Sequence, residues 1–126
     1  MGRAVSTPAF DLPCRWVIHT VGPNRHAGQT DPELLRSAFA SSIGLAADLG
    51  CRSVSLPAIS AGVYGWDGDE VARLAAAAAR AAAGSERCAG LDLIRFVLFN
   101  DQLLCRNLVI ARAPHDYHSL DRKSVV

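Results

Sequence analysis

Short apolar runs of strand character alternate with helical patterns along this chain, and that alternation limits the folds open to it. The runs are rich in β-branched and aromatic residues and are bounded by Gly, Pro or Asn; they lie at residues 16–21, 53–59 and 91–99. A helical pattern follows each run, which gives the order β-α-β-α-β-α. This order predicts an α/β fold, with parallel strands, right-handed crossovers and helices on the faces of the sheet.

The helical patterns carry start and stop signals. We predict that the first helix begins at the capping box Thr30-Asp31-Pro32-Glu33 and ends at Gly50. The second is predicted over about 69–83, where acidic residues at its start complement the helix dipole. The third is predicted over about 101–112, because Pro114 follows it.

Length and composition indicate one folded domain. The chain has 126 residues, of which 50% are hydrophobic and 20% charged, which is enough apolar material for a buried core. The folded domain is predicted over residues 1–113, and residues 114–126 read as a polar tail. No apolar run is long enough to span a bilayer, and the first residues lack the apolar core of a signal peptide. We therefore expect a cytoplasmic protein without a membrane partner.

Charge and cysteine spacing argue against two classes of site. The net charge of +1 does not predict a nucleic-acid partner held through phosphates. The four cysteines form no Cys-x-x-Cys pair, so neither a zinc site nor any other metal site is predicted; they are Cys14, Cys51, Cys88 and Cys105. We interpret His19 as a structural strand residue, and Asp67 and Asp69 as helix-dipole partners rather than a catalytic pair.

The segment between the second strand and the second helix is the candidate site. It reads Pro-Ala-Ile-Ser-Ala-Gly-Val-Tyr-Gly-Trp over residues 57–66, with Gly62 and Gly65 able to take positive φ values. Successive N–H groups in such a loop can hold an anion, and ligands bind at the carboxyl ends of strands in open α/β sheets. The same spacing is also ordinary turn chemistry, so spacing alone leaves both interpretations open.

The amino-acid sequences of four segments resemble those of the macro domain family. The resemblance rests on Leu12-Pro13, on Trp-Val-Ile-His-Thr-Val-Gly-Pro at 16–23, on residues 53–66, and on Phe-Val-Leu-Phe-Asn at 96–100. It covers about residues 2–112 and points to the branch that hydrolyses ADP-ribosyl and O-acetyl-ADP-ribose esters. It implies a three-layer α/β/α sandwich with a largely parallel or mixed sheet, ADP-ribose or an ADP-ribosylated substrate as partner, and no cofactor.

The resemblance also implies ligand-binding residues. The family loop around the pyrophosphate and the distal ribose is matched by Ser60, Ala61, Gly62, Val63, Tyr64 and Gly65. Phe99 and Asn100 match positions beside the adenine and its ribose, although Phe99 reads equally well as a core aromatic. No residue of this chain matches a catalytic position.

This sequence departs from the family pattern at its start. Members begin with two strands and a helix that carry an adenine-reading Asp, an Asn-Ala-Ala-Asn segment and a Gly-Gly-Val-Asp segment, and none of these occurs here. We therefore expect the C-terminal two-thirds of a macro domain, with little or no hydrolysis. We also expect an open sheet edge and an exposed apolar sheet face, which predict self-association or a partner that covers them. The residues expected on that face are Trp16, Ile18, Val54, Leu56, Phe96 and Leu98. An enzyme, a non-catalytic nucleotide-binding module and an incomplete interaction fragment remain the alternatives.

Overall fold

A computed structural model of the chain describes residues 2–62 and 64–97, together with the backbone of residues 110 and 111. Two short 3-10 helices, Arg25–Ala27 and Glu86–Cys88, connect the larger elements. The strands and helices, in chain order, are β1 (Ala4–Pro8), β2 (Trp16–Thr20), α1 (Pro32–Asp48), β3 (Ser53–Leu56), α2 (Gly68–Ala83), β4 (Leu93–Phe96) and β5 (Ile110–Ala111). Within these described residues, no helix is long and apolar enough to cross a bilayer.

The strands form two separate sheets. β1 and β2 pair antiparallel as a hairpin, with Ser6 opposite Ile18. β3 pairs parallel to β4, and β4 pairs antiparallel to β5. No hydrogen-bonded ladder joins β2 to β3, so each of these two strands has one edge without a partner among the described strands.

The observed ends of α1 agree with the capping signals in the sequence, except that the N-cap is one residue later than predicted. The N-cap of α1 is Asp31, whose Oδ1 accepts from the backbone N–H of Glu33 at 3.0 Å, so the predicted cap at Thr30 is wrong by one residue. A proline at the first helical position suits this start, because its missing N–H would have no partner there. Gly50 lies just beyond the helix with a φ of 77°, which confirms it as the stop.

The helix α2 begins one residue earlier than predicted and ends where predicted. Asp67 is its N-cap, and the Asp67 Oδ2 accepts from the N–H of Asp69 at 3.2 Å. Gly84 forms the C-cap. The structural interpretation of Asp67 is confirmed, because its carboxylate satisfies a backbone donor at the helix start.

The main core lies between α1, α2 and the β3–β4 pair. Leu35, Phe39 and Ile43 are fully buried on one face of α1. Phe39 meets Phe96 of β4 edge to face, with ring centroids 6.2 Å apart. The facing side of α2 is built from small side chains, which allows the two helices to pack closely; these are Ala72, Ala75, Ala78 and Ala79.

Two further predictions require correction. The sequence interpretation missed β1, because its run mixes Ala4 and Val5 with polar residues and ends in a proline. The predicted third helix over 101–112 is wrong at its end, since residues 110 and 111 form a strand against β4. The rest of that helix lies outside the described residues.

The predicted exposed sheet face also differs from the structure. Leu56 and Phe96 are 4% and 3% exposed, because the helices cover them. Trp16, Ile18 and Val54 are half-buried. Leu98, which belongs to the same prediction, lies outside the described residues.

Candidate functional site

The carboxyl ends of β2 and β3 converge on one point. Gly22 follows β2, and a Cβ atom placed on it would lie 2.2 Å from Ser60 Oγ and 2.4 Å from Ile59 Cγ2. These distances are far below van der Waals contact, so no larger residue fits without movement. Gly22 therefore ties the end of β2 to the loop that follows β3.

That loop, residues 58–66, is held by its own backbone. Gly65 N–H donates to the carbonyl of Gly62 at 2.8 Å, and Trp66 N–H donates to the carbonyl of Ser60 at 3.4 Å. Gly62 and Gly65 have φ values of 79° and 81°, as their predicted role requires. The N–H groups of Ser60, Gly62 and Tyr64 have no acceptor among the described residues. The loop thus presents free donors, which an anion requires.

Ser60 carries two unusual features. Its φ is 67°, a left-handed conformation that costs a non-glycine residue roughly 1–2 kcal/mol. Its hydroxyl oxygen is buried and has no hydrogen-bond partner among the described residues. Strain and an orphaned polar atom at one residue are features of ligand-binding positions.

Arg25 contacts the outer side of the loop and helps to hold it in place. Arg25 N–H donates to the carbonyl of Tyr64 at 2.8 Å. The Arg25 guanidinium lies 4.2 Å from the ring centroid of buried Trp66, and its Nη2 is 3.1 Å from Glu70 Oε2. The ring of His26 lies so close to Gly65 that a Cβ there would approach it to 2.9 Å. These contacts fix the loop from outside.

The start of α2 does not offer a free helix N-terminus to an anion. The Asp67 carboxylate already accepts from the first turn, and Asp69 and Glu70 add negative charge there. These carboxylates use the favourable end of the helix dipole. An anion at this site would therefore be held by loop amides, not by the helix.

A cavity of about 1050 Å³ runs from the loop between β2 and β3. Ser60 and Tyr64 line its carboxyl end, while Ser42 and Ala46 of α1 contribute further lining. Ligand sites for small molecules occupy about 300–1000 Å³, so the volume is ample for a nucleotide. The orphaned Ser60 hydroxyl therefore lies at the end of a ligand-sized cavity.

The charged lining of the cavity is entirely basic. Three arginines, Arg15, Arg52 and Arg95, line it together with His19, and no carboxylate does so among the described residues. Arg52 also pairs with Asp92 at 3.0 Å. The His19 ring is exposed and lies 2.9 Å from the Thr7 hydroxyl across the hairpin, which agrees with a structural role. The lining favours an anionic ligand.

Residues 2–62 and 64–97 contain no group of side chains that could bind a metal ion. No three His, Cys, Asp or Glu side chains of this part of the chain cluster closely enough to hold an ion. Cys14, Cys51 and Cys88 are free thiols. Cys88 is buried, whereas Cys14 and Cys51 are partly exposed and line the cavity at the amino ends of β2 and β3.

The structure brings together five of the eight residues predicted to bind ligand. Val63, Phe99 and Asn100 lie outside the described residues. The other five form one loop, although Ala61 has a backbone role, donating its N–H to the carbonyl of Ala58 at 3.2 Å; these five are Ser60, Ala61, Gly62, Tyr64 and Gly65.

The sequence interpretation missed Gly22, Arg25 and Trp66 as supports of this loop. A small residue directly after the apolar run of β2 was the available signal for Gly22. Nothing in the sequence pairs Arg25 with Trp66, because 40 intervening residues separate them along the chain while only the fold brings them together.

Comparison with known proteins gives the same family from sequence and from structure. The family model for the macro domain matches residues 1–75. A macro domain-containing protein of Streptomyces coelicolor is 46% identical over 99 residues, which cover 79% of this chain and 56% of that protein. A Klebsiella pneumoniae protein named O-acetyl-ADP-ribose deacetylase is 41% identical over 102 residues, covering 80% of this chain and 57% of the relative.

A solved structure shares the fold. The macrodomain of Trypanosoma brucei in complex with ADP-ribose superposes with a TM-score of 0.73 at 31% identity, over 82% of this chain and 42% of that one. The chain spans about half the length of the curated relatives it matches. By family model, sequence identity and α/β fold, the chain belongs to the macro domain family.

Proposed function

We propose that this chain binds ADP-ribose, or the ADP-ribosyl group of a modified molecule, through the loop at residues 58–66. The observation that carries the proposal is the buried Ser60 hydroxyl, which lies at the end of the cavity. Within the described part of the chain, this hydroxyl has no hydrogen-bond partner and the cavity has no carboxylate in its lining. The complex of the Trypanosoma brucei macrodomain with ADP-ribose supports the same ligand class.

The chemistry of a diphosphate suits this loop. Two phosphate groups bring negative charge and several acceptor oxygens. These match the N–H groups of Ser60, Gly62 and Tyr64, which find no acceptor in the part of the chain that the structure describes. Hydrogen bonds to a charged acceptor are roughly twice as strong as neutral ones. Gly62 is exposed, and nothing lies within 4 Å of the place where its Cβ would be, so a ligand can approach its backbone closely.

Calorimetry with ADP-ribose on a matched pair of variants tests this proposal. Gly62→Glu places an anion in the phosphate path, whereas Gly62→Gln has the same size and backbone strain without the charge. A micromolar site corresponds to about −8 kcal/mol, so partial losses are measurable. We expect Gly62→Glu to bind at least about tenfold more weakly than Gly62→Gln, because the two variants differ by one like-charge contact with the phosphates.

Circular dichroism on both variants controls for folding. Equal affinities of folded Gly62→Glu and Gly62→Gln for ADP-ribose would remove the loop from the binding site. Binding of AMP with the affinity of ADP-ribose would show that the diphosphate and the distal ribose make no contribution.

Hydrolysis of O-acetyl-ADP-ribose is a second candidate, favoured by the name of the Klebsiella pneumoniae relative. Acetate release from O-acetyl-ADP-ribose measures it directly. The family resemblance assigns the hydrolytic Asn and Asp to segments that this sequence does not contain, and loss of a positioned base removes about 10²–10⁴-fold in rate. We therefore expect turnover far below that of the Klebsiella protein, and comparable turnover would contradict this expectation.

A further inference from the structure

A compact turn lies against the outer side of the ligand loop. It follows β2 in the chain and comprises residues 24–29, which we name the outer turn. Asn24 closes it: its Oδ1 accepts from the N–H of His26 at 3.0 Å, its carbonyl accepts from the N–H of Gln29 at 3.1 Å, and its own N–H donates to Gln29 Oε1 at 2.7 Å. These bonds hold Arg25, the second residue of the turn, in one place.

The backbone of Arg25 fixes the direction of one loop carbonyl. Its N–H donates to the carbonyl of Tyr64 at 2.8 Å, and the Gly65 N–H of the same peptide group donates to the carbonyl of Gly62 at 2.8 Å. Because the C=O and N–H of a trans peptide point in opposite directions, these two bonds fix the plane of the group. Arg25 does not line the cavity, so the Tyr64 carbonyl points to the outer side of the loop. This direction favours an anionic ligand, because a carbonyl oxygen turned towards an anion would repel it.

The side chain of Arg25 anchors the outer turn to the end of the loop. Its guanidinium carbon lies 4.2 Å from the centroid of the Trp66 ring, and Trp66 is only 2% exposed. The Trp66 backbone in turn donates to the carbonyl of Ser60 at 3.4 Å. The guanidinium also pairs with Glu70 in the first turn of α2, with 3.1 Å between Nη2 and Oε2. One side chain therefore connects the outer turn with the loop and with the helix that follows it.

The charge of Arg25 is engaged outside the cavity. Other arginines line the cavity, whereas the Arg25 guanidinium is stacked on Trp66 and paired with the Glu70 carboxylate. This carboxylate offsets the positive charge, and water screens a side chain that is 38% exposed. Direct attraction between Arg25 and a phosphate is therefore a small contribution, and the contacts that Arg25 makes with the loop are the larger one.

We propose that Arg25 is a positioning residue for ADP-ribose: from outside the cavity, it holds the Tyr64 carbonyl outward and keeps the loop in the conformation that presents its N–H groups to the diphosphate. This role rests on the proposed function and determines how tightly that site binds. A loop that is held in its binding conformation before the ligand arrives loses less conformational entropy on binding. Where only a fraction of the molecules has that conformation, the measured affinity falls by that fraction.

The affinity of the folded protein for ADP-ribose is the first test. Calorimetry compares Arg25→Ala with Arg73→Ala, which removes an arginine from an exposed position of α2. We expect Arg25→Ala to bind about fivefold more weakly and Arg73→Ala to bind as the parent does. Measurement at a temperature at which circular dichroism shows full folding separates this effect from a loss of global stability, which alone leaves the affinity unchanged. Equal affinities of all three proteins would overturn the proposal.

Proline at position 25 separates the backbone contact from the side chain. Arg25→Pro removes the N–H that donates to Tyr64 as well as the side chain, whereas Arg25→Ala removes the side chain alone. The position accepts proline, because it begins a 3-10 helix and Asn24 before it is extended, with φ −104° and ψ 108°. We expect Arg25→Pro to bind about fivefold more weakly than Arg25→Ala. Equal affinity of these two variants would contradict the role of Arg25 in directing the Tyr64 carbonyl.

The Glu70→Gln variant distinguishes positioning from charge attraction by the sign of its effect. If Arg25 attracted the diphosphate by its charge, removal of the carboxylate that offsets this charge would strengthen binding. Positioning predicts the opposite, because the variant weakens the anchor of the guanidinium, and we expect about twofold weaker binding. Glu86→Gln makes the same change at an exposed position beyond the other end of α2 and serves as the control. Stronger binding by Glu70→Gln than by Glu86→Gln would overturn the proposal.

Hydrogen exchange of the Gly65 amide, followed by NMR without ligand, tests the same role independently of binding. This N–H donates to the carbonyl of Gly62, so its exchange rate reports how often the loop opens. We expect about fivefold faster exchange in Arg25→Ala and no change in Arg73→Ala. Unchanged exchange in Arg25→Ala would overturn the proposal. Faster exchange in a protein whose parent binds no ADP-ribose would refute the proposed function and retain the positioning of the loop by Arg25.

Discussion

The helical core and the β1–β2 hairpin belong to one chain but differ in how they are held. The helix α1 buries seven residues, and its contact with α2, β3 and β4 encloses aromatic and aliphatic side chains. In the hairpin, every residue of β1 and β2 stays half-buried or exposed, and Phe10 at its turn is 87% exposed. Packing of buried apolar side chains stabilises the core, whereas backbone hydrogen bonds between β1 and β2 are the main interaction that holds the hairpin.

This difference shows which region finds its packing partners among the described residues. The β3–β4 pair has helices to cover it, so its apolar side chains find partners within the chain. The hairpin contacts α1 but leaves one edge of β2 open. We therefore expect stability to depend on the core and ligand or partner binding to depend on the boundary between the two regions.

The largest expected effect is on the free energy of unfolding, when the same Phe→Ala substitution is made in the core and in the hairpin. Phe39→Ala removes a fully buried ring that packs against Phe96, and we expect a loss of about 3–5 kcal/mol in the free energy of unfolding. Phe10→Ala makes the same chemical change at the exposed hairpin turn and should alter it by about 0.5 kcal/mol or less. Urea unfolding followed by circular dichroism measures both, and equal losses would break the comparison.

The boundary itself is tested at Gly22. Gly22→Ala forces a methyl group against Ser60 and Ile59, and overpacking of this kind costs about 1–3 kcal/mol. We also expect weaker ADP-ribose binding by calorimetry, because Ser60 must move. Gly90→Ala is the control, since nothing lies within 4 Å of its added Cβ. An unchanged affinity in Gly22→Ala would show that the two strand ends are not coupled through this contact.

A smaller effect is expected at Arg25, on the outer side of the loop. Arg25→Ala removes the contact with the Trp66 ring and the ion pair with Glu70, together worth about 1 kcal/mol at a partly exposed position. Arg73→Ala, at an exposed position of α2, should stay within about 0.5 kcal/mol. Thermal unfolding of the two variants compares them. Equal melting temperatures would show that Arg25 adds nothing to the loop.

The smallest effect concerns pH and an exposed pair on the core side. The Arg87 guanidinium lies 2.9 Å from Asp48 and lowers the pKa of that carboxyl below its ordinary value of 3.8. A lowered folded-state pKa adds stability above the unfolded pKa, and this stability is lost as pH falls through the folded value. Arg87→Ala should therefore be less stable than the parent at pH 7 and equally stable under strongly acidic conditions. A difference that persists in acid would assign the effect of Arg87 to packing over Gly44 instead.

The sequence predicted the elements whose signals are local. Asp67 and Gly84 bound α2 because capping depends on a few adjacent residues. The glycines and the family resemblance predict a ligand loop over residues 57–66, and the structure gives Gly62 and Gly65 the positive φ values that this prediction uses. The hairpin strand β1 was not predicted, because its short mixed run gains strand character only by pairing with β2. The division of the strands into two sheets depends on contacts between distant segments, which no local pattern contains.

The close approach of Gly22 to Ser60 couples the end of β2 to the ligand loop. A Cβ on Gly22 would lie 2.2 Å from Ser60 Oγ, so ligand contacts that fix Ser60 also limit the movement of the end of β2. Thermodynamic linkage then requires that ADP-ribose binding and the ordering of this strand end favour each other by the same free energy. We expect the backbone amides at the end of β2 to exchange their hydrogens more slowly when ADP-ribose is bound.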